Sequence, residues 1–333
     1  MPLVSCPIWR NSKGFVPLDR VTNGGVAPKP APGLALLVTG GHSDCAAVDD
    51  RAYVDLLQRA LPRLGLRFRG FKNVRRQVCR RIAARIAALG LDSPRAYERV
   101  LERDPEELRV LDSLCFVTIS RFYRDRRIWD ALRGALLPRV LDEAEARGER
   151  LVRAWSLGCA SGEEPYTLAI LWEIELASRW PALDLEIVAT ERDDEVLARA
   201  AQGIYEPSSV REVPLEWRAK AFEPIDGATS MRVRSELRRR VRFERADGRS
   251  EAAMPPAPIH LVMCRNMAFT YWAETEQRAL CARILEHLGP GGLLVLGNHE
   301  ELPGDPVTLG FLPVSEAPHV FRAARELTSS SRS

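Results

Sequence analysis

Hydrophobic residues in the first part of the chain recur at helical spacing. One stripe of such positions begins after residue 49, and a second predicts a helix over about 73–89. The Ser-Pro pair at 93–94 and the Asp-Pro pair at 104–105 are typical helix starts and predict a third and a fourth helix. We therefore expect a small all-helical N-terminal domain over residues 46–140.

The period changes after residue 150, where short apolar runs alternate with helical segments. This alternation predicts an α/β fold with a mostly parallel sheet over residues 141–324. Residues 205–239 interrupt it with several prolines and one short strand at about 231–234, so we expect a small inserted β subdomain there. The main strands are predicted at 151–155, 185–190, 240–244, 259–263 and 293–296, with helices from about 163, at 194–202 and at 273–288.

Composition limits the classes of protein that fit. The 333 residues are 46% hydrophobic and 28% charged, which is ordinary for a globular protein. No apolar run approaches the ~18 residues of a membrane-spanning helix, so we expect neither membrane insertion nor a secretory signal. The seven cysteines are scattered without a zinc-binding pattern, which favours a metal-free protein in the reducing cytoplasm. Residues 1–45 are rich in proline and glycine, and we expect them, like 325–333, to form poorly packed tails.

Two glycines make the end of the first predicted strand a candidate ligand site. Gly158 and Gly162 lie in the sequence Trp-Ser-Leu-Gly-Cys-Ala-Ser-Gly-Glu-Glu-Pro-Tyr at 155–166. Ligands of open α/β sheets bind beyond the carboxyl ends of the strands, and glycine lets the backbone approach them closely. Glu164 would suit a cationic ligand and repel a pyrophosphate, although a glutamate at this point also stabilises a helix N-terminus. Glycines are common at strand–helix junctions, so this segment alone is weak evidence.

Two further strand ends carry polar residues. Glu191 follows the second strand, where an acidic residue commonly accepts hydrogen bonds from ribose hydroxyls. Taken alone, the position leaves ribose binding and a structural role equally open. Arg265 and Asn266 end a buried strand in the sequence Cys-Arg-Asn. Buried polar groups need partners, so these two side chains either bind a ligand or tie loops together.

Several of these segments together resemble one family. The order of the motifs and their amino-acid sequences are similar to those of the CheR-type chemotaxis receptor methyltransferases, over about residues 50–323. The motif at 155–166 is the most specific match, and Cys-Arg-Asn is the second. The other matching segments are Ser-Arg-Phe-Tyr-Arg-Asp at 120–125, Ala-Thr-Glu at 189–191, Gly-Ile-Tyr at 203–205, Val-Arg-Phe at 241–243 and Gly-Asn-His-Glu at 297–300.

The resemblance implies a fold, a cofactor and an activity. The α/β part would be a Rossmann-like S-adenosylmethionine methyltransferase domain that binds S-adenosyl-L-methionine and releases S-adenosyl-L-homocysteine. The reaction would transfer a methyl group to a carboxylate, a glutamate side chain of a chemoreceptor-like protein. Two other possibilities stay open: a different protein, peptide or small-molecule acceptor, and a non-catalytic module that binds only the cofactor or the receptor.

The resemblance also implies roles for individual residues. Ser120 and Arg124 would close over the methionine end of the cofactor, which Thr118 also lines. Arg124, Asn266 and Tyr271 would be the catalytic group, with Tyr271 near the methyl group. The full predicted cofactor set is Thr118, Ser120, Arg124, Gly158, Gly162, Glu164 (facing the amino group), Glu191 (on the ribose), Asp247 (beside the adenine), Arg265 and Asn266.

Three positions depart from the family pattern. Glu191 replaces an aspartate, and Asp247-Gly248 replaces Asn-Leu. The segment after Asn266 is one residue longer than usual, which leaves either Thr270 or Tyr271 for the active-site tyrosine position. Because this segment borders the acceptor, an acceptor other than a chemoreceptor is a serious alternative.

Basic residues crowd the second predicted helix and the segment before it. In the resembling family a basic helix here contacts the acidic, helical methylation region of the receptor, which implies acceptor docking near Arg75, Arg76 and Arg80. A solvated helix face is the simpler interpretation. The net charge of +3 and the absence of a nucleic-acid motif give no reason to expect nucleic acid binding. The crowded residues are Arg67, Arg69, Lys72, Arg75, Arg76, Arg80, Arg81 and Arg85.

Overall fold

The computed structural model describes residues 50–118, 120–225, 227 and 229–324. Four α-helices form the first part of these residues. Ser93 and Asp104 cap the third and fourth helices by accepting hydrogen bonds from the backbone N–H of Ala96 (3.2 Å) and Glu106 (2.9 Å), as the Ser-Pro and Asp-Pro pairs predict. The predicted tails, 1–45 and 325–333, lie outside the described residues. The helices are α1 (Asp50–Ala60), α2 (Arg75–Ala88), α3 (Pro94–Arg103) and α4 (Pro105–Cys115).

Part of the basic sequence around α2 stabilises the helical region itself. Arg85 forms a two-point ion pair with the buried Glu107, whose carboxylate also accepts the Tyr97 hydroxyl at 2.7 Å. Arg81 donates to the carbonyl oxygens of Leu114 and Phe116 at the end of α4. These two arginines therefore hold α2 against α4 and are not part of a solvated face.

A helix that the hydrophobic pattern did not predict connects the helical region to the sheet. It comprises α5 (Arg126–Ala131), a π-helical segment (Leu132–Leu136) and α6 (Leu137–Ala146). Its apolar side chains, including the fully buried Trp129, belong to the same hydrophobic cluster as strand residues of the sheet. Trp129 also donates its indole N–H to the carbonyl oxygen of Arg124 at 2.9 Å, which fixes the start of this helix.

The main sheet has seven strands in the order β6-β2-β1-β7-β8-β10-β9. Strands β6, β2, β1, β7 and β8 run parallel, which confirms the mostly parallel α/β prediction. The antiparallel β10 and β9, which were not predicted, extend one edge. The strands are β1 (Leu151–Leu157), β2 (Asp184–Glu191), β3 (Ile204–Tyr205), β4 (Phe222–Ile225), β5 (Ser230–Val233), β6 (Val241–Arg245), β7 (Ile259–Met263), β8 (Leu288–Val295), β9 (Phe311–Val314) and β10 (Ala317–Ala323).

The second half of the chain contains six helices and a small second sheet among the described residues. Strands β3, β5 and β4 pair antiparallel, as the predicted inserted β segment required. The exact domain boundaries stay a prediction. The helices are α7 (Glu163–Leu171, continued by a π-helical segment Trp172–Leu176), α8 (Asp194–Gln202), α9 (Leu215–Ala221), α10 (Ser235–Arg238), α11 (Ala268–Tyr271) and α12 (Glu274–His287).

The strand order places a crevice at the centre of the sheet. From β1 the chain continues to β2 on one side, and it returns to β7 on the other side of β1. Such a reversal of strand order separates the loops at the carboxyl ends and leaves room for a ligand between them. Within residues 50–324 as described, no helix is long and apolar enough to cross a membrane.

Candidate active site

A cavity of about 800 Å³, partly open to solvent, lies over the carboxyl ends of β1, β2 and β7. The strand-end loops supply one wall, and the helical region supplies the other through Leu66, Phe71 and Phe116. Nine predicted site residues line it: Thr118, Ser120, Arg124, Gly158, Glu164, Glu191, Arg265, Asn266 and Tyr271.

The turn from β1 to α7 brings backbone to the cavity wall. Gly158 has a φ of 71°, and a Cβ built on it would lie 3.0 Å from the side chain of Met267. A larger residue would therefore be both strained and crowded. The N–H groups of Gly158 and Cys159 both donate to the carbonyl oxygen of Thr190, at 2.9 and 3.0 Å. The turn is thus attached to the end of β2.

Glu191 ties the same two strand ends together. Its Oε2 accepts from the N–H of Ala160 at 3.1 Å, and its Oε1 accepts from Arg192 (2.8 Å) and Asp193 (3.2 Å). Burial raises the pKa of the Glu191 carboxyl, and these three backbone donors act in the opposite direction. Each carboxylate oxygen has two lone pairs, so Oε2 keeps acceptor capacity at the cavity wall.

Glu164 and Arg265 form a buried ion pair at the carboxyl ends of β1 and β7. Glu164 accepts from the Ser156 hydroxyl at 2.7 Å and from Arg265 Nη1 at 3.2 Å. Burial raises the pKa of Glu164, and the charge of Arg265 opposes this shift. Arg265 Nη2 donates to the carbonyl oxygen of Arg124 and to Asp125 Oδ2, both at 2.7 Å. Arg265 therefore does tie loops together, and it also lines the cavity.

Backbone strain is concentrated in the segments that line the cavity. Among the described residues the non-glycine positions with positive φ are Tyr123 (60°), Asp125 (61°), Ala160 (50°) and Asn266 (57°). Such conformations cost of order 1–3 kcal/mol each and cluster at functional sites. Asn266 accepts from Arg124 Nη2 at 3.2 Å, so two of the predicted catalytic residues are in contact.

The segment after β7 gives Thr270 and Tyr271 different surroundings. The Thr270 hydroxyl donates to Oε1 of the buried Glu300 at 2.7 Å, whereas Tyr271 lines the cavity. Glu300 Oε2 also accepts from the N–H groups of Asn266 (2.6 Å) and Gly297 (2.8 Å). The Tyr271 ring packs on Phe71, with 5.0 Å between ring centroids. Burial raises the pKa of Tyr271, so its phenol is protonated near neutral pH.

Two predicted cofactor residues do not line this cavity. Gly162, with a φ of 91°, begins α7, and a Cβ there would lie 3.0 Å from the Tyr205 hydroxyl. A larger residue there would be strained and crowded, so this turn favours glycine. The predicted contact of Gly162 with the cofactor stays a prediction. Asp247 lines a smaller neighbouring cavity and is held by Arg249 at 2.7 Å. Its predicted place beside the adenine stays a prediction.

No sequence pattern indicated the residues of the helical region that line the cavity. Leu66, Phe71 and Phe116 are apolar side chains without any motif, so only their position in the fold reveals them. Met267 and Trp272 were missed for the same reason.

A crevice at a strand-order reversal, with acidic residues at two strand ends, defines the class of α/β proteins that bind nucleoside cofactors. The family model described as "CheR methyltransferase, SAM binding domain" matches residues 118–317. The chain belongs to the CheR methyltransferase family, and it is an S-adenosylmethionine-dependent methyltransferase.

Relatives with related names support this assignment. "Chemotaxis protein methyltransferase" of Listeria monocytogenes serovar 1/2a is 31% identical over 202 residues, which are 61% of this chain and 72% of that protein. "Chemotaxis protein methyltransferase 2" of Vibrio cholerae serotype O1 is 31% identical over 241 residues, 70% of this chain and 80% of that protein. A solved glycopeptide N-methyltransferase, MtfA, aligns at 18% identity over 47% of each chain, and its TM-score of 0.28 is too low to support any conclusion.

The cavity residues fit S-adenosylmethionine. Glu191 retains acceptor capacity for ribose hydroxyls at the end of β2. Glu164 places a carboxylate where an ammonium or sulfonium charge is favourable. The apolar wall from Phe116, Met267 and Trp272 offers a surface for a flat base.

Proposed function

We propose that this protein transfers a methyl group from S-adenosylmethionine to a glutamate side chain of a chemoreceptor-like protein. The observation that carries the proposal is the arrangement of the cavity in a chain of this family. Carboxylates for the cofactor lie at the ends of β1 and β2, and Arg124, Asn266 and Tyr271 lie together beside them.

Two carboxylates are proposed to hold the cofactor. When bound, S-adenosylmethionine supplies a methyl group on a positively charged sulfur. Glu191 would accept from the ribose hydroxyls, and Glu164 would face the ammonium group of the methionine end. Thr118, Ser120 and Arg124 line the same cavity, which supports the predicted closure of this segment over the ligand.

The acceptor needs orientation more than activation. A glutamate carboxyl has a reference pKa of ~4.3 and is already ionised at neutral pH, so no strong general base is required. The protonated phenol of Tyr271 and the guanidinium of Arg124 are donors that would orient the incoming carboxylate. Correct alignment of reacting groups is worth up to ~7–11 kcal/mol.

The acceptor is proposed to dock on an exposed group of basic residues that we call the basic face: Arg69, Lys72, Arg76 and Arg80. No described residue forms an ion pair with these four side chains. Arg75, predicted with them, is half-buried. An acidic helical partner suits this surface, and electrostatic steering would raise the rate of encounter. A cytoplasmic location is part of the proposal, supported by the buried free thiols of Cys115, Cys159, Cys264 and Cys281 in the described part of the chain.

Charge reversal of the basic face is expected to impair methylation of a protein acceptor. The variant Arg76→Glu/Arg80→Glu should lower kcat/KM about tenfold or more at low salt, because steering toward an acidic partner becomes repulsion. The difference should shrink at ~0.5 M salt, where the screening length is only a few ångströms. Initial rates with labelled cofactor at both salt concentrations measure the effect.

Arg95→Glu/Arg99→Glu on α3 is the matched control, because both residues are exposed and have the same spacing and charge change. Equal losses in both double variants would mean that net charge, and not the basic face, controls the rate.

The proposed reaction is tested with methyl-labelled S-adenosylmethionine and membranes from the source organism. Label on a protein band that alkali releases as methanol identifies a carboxyl methyl ester, and the mass of the band identifies the acceptor. Alkali-stable label, or label only in small molecules, would overturn the glutamate assignment. Cofactor binding by calorimetry without any transfer would favour the non-catalytic module.

A further inference from the structure

A turn of the helical region is fastened to the segment that carries Tyr271. We call residues 65–71 the clamp turn and residues 266–273 the catalytic loop. The backbone N–H of Ala273 donates to the carbonyl oxygen of Gly65 at 2.7 Å, and Leu66 forms an isolated antiparallel β-bridge with Trp272. Two chain segments far apart in sequence therefore pair as a short ribbon beside the cavity.

Arg67 is the main connection between the two segments. Its backbone N–H donates to the carbonyl oxygen of Tyr271 at 2.8 Å. Its guanidinium donates from Nε to the carbonyl oxygen of Thr270 at 3.0 Å, and from Nη2 to that of Phe269. One residue thus holds three consecutive carbonyl groups, and the rigid planar guanidinium fixes two of them in a single geometry.

The clamp turn and the catalytic loop are closely packed. A Cβ built on Gly70 would lie 2.1 Å from the carbonyl oxygen of Thr270, so the clamp turn approaches the catalytic loop as closely as only glycine permits. Phe71 at the end of the turn packs directly on the Tyr271 ring. The Tyr271 backbone and ring therefore both depend on the clamp turn.

The catalytic loop is held from a second direction by Glu300. Its carboxylate binds the Asn266 N–H and the Thr270 hydroxyl, while Arg67 binds the carbonyl groups of the following residues. Glu300 thereby holds Asn266 and Thr270, whereas Tyr271 is held by its own N–H bond to the carbonyl oxygen of Met267 (2.9 Å) and by the clamp turn. Loss of the Arg67 side chain would remove the bonds to the carbonyl groups of Phe269 and Thr270, so the backbone just before Tyr271 would be held less tightly.

We infer that the side chain of Arg67 is a positioning group for Tyr271, acting through the carbonyl groups of Phe269 and Thr270. The inference rests on the proposed function, because it assigns Tyr271 to the acceptor side of the site. A shift of about 1 Å in a reacting or orienting group is enough to cost up to ~10²-fold in rate. The clamp turn also carries Arg69 of the basic face, so the acceptor would dock on the element that orients Tyr271.

The test compares Arg67→Gln and Arg67→Lys with the parent protein in steady-state methyl transfer. Arg67→Gln is expected to lower kcat at least tenfold, with KM values for cofactor and acceptor within about twofold. The kcat of Arg67→Lys should fall between those of Arg67→Gln and the parent protein, because a flexible ammonium keeps donors but lacks the planar fork that fixes two carbonyl groups in one geometry. Arg63→Gln is the matched control, since Arg63 also donates to a backbone carbonyl, that of Leu101, away from the catalytic loop. Its kcat should equal that of the parent protein.

A double variant separates positioning from general destabilisation. If Arg67 acts through Tyr271, the kcat of the double variant Arg67→Gln/Tyr271→Phe should be no lower than that of the slower single variant. Both substitutions would then remove the same contribution of the Tyr271 hydroxyl, so their effects on kcat would not multiply. Fully multiplicative losses, or a kcat of Arg67→Gln equal to that of Arg63→Gln, would overturn the inference while leaving the proposed function intact. An unchanged kcat in Tyr271→Phe would instead overturn the proposed role of Tyr271, and the positioning role with it. Thermal unfolding of each variant confirms that the assays compare folded protein.

Discussion

Replacing Glu191 by alanine is expected to weaken S-adenosylmethionine binding by about 100-fold or more. Hydrogen bonds to a charged group contribute ~1.5–3 kcal/mol each, and two ribose hydroxyls would lose their acceptor. The N–H groups of Ala160, Arg192 and Asp193 would lose theirs as well, so the turn after β1 would loosen. Titration calorimetry of the cofactor with both proteins measures the change directly.

Glu191→Asp is the informative control, since the resembling family has an aspartate at this position. The shorter side chain keeps the charge but reaches the Ala160 N–H less well, so a smaller loss than in Glu191→Ala is expected. Unchanged cofactor affinity in Glu191→Ala would show that the end of β2 does not bind the ribose, and Glu191 would then be a purely structural connection between two loops.

The second large effect is expected on stability. Arg265→Met should reduce the free energy of unfolding by about 3–5 kcal/mol, because it leaves the carboxylates of Glu164 and Asp125 without their buried partner. Urea unfolding at neutral pH measures this loss. The affinity for S-adenosylmethionine should fall as well, since the segment at 120–125 loses its connection to the cavity wall.

The pH dependence of this variant gives a sharper test. Burial already raises the pKa of Glu164, and without the charge of Arg265 the pKa should rise further. A carboxyl whose pKa is higher in the folded state binds protons preferentially when folded, so lowering the pH stabilises the fold. The stability difference between Arg265→Met and the parent protein should therefore shrink from pH 7.5 to pH 5.5.

Arg240→Met serves as the control, because Arg240 pairs with Glu173 and with the exposed Asp184 at the surface. Surface ion pairs contribute ~0–1 kcal/mol, so a small and nearly pH-independent change is expected. A loss of that size in Arg265→Met would contradict the view that Arg265 is a buried connection among three segments.

The sequence by itself determined much of the fold, for reasons that are local. Ser93 and Asp104 cap α3 and α4 by bonding backbone N–H groups within three residues. The starts of these helices can therefore be predicted from the local sequence without tertiary information. The central parallel strands β1, β2, β7 and β8 are rich in apolar residues because both faces of such a sheet are largely buried. The motif at 155–166 indicated the family, and the positive φ of Gly158 and Gly162 explains why its glycines are hard to replace.

Only the tertiary structure decided how the site is assembled, because its contacts join residues that are distant in sequence. Arg67 and Thr270 are 203 residues apart, and Arg265 and Arg124 are 141 apart. No periodicity could show that Thr270 bonds to Glu300 while Tyr271 lines the cavity. The same holds for the basic sequence around α2: burial made Arg67, Arg81 and Arg85 internal connections and left Arg76 and Arg80 exposed. A side chain's type fixes what it can bind, but the packing of the chain decides what lies within its reach.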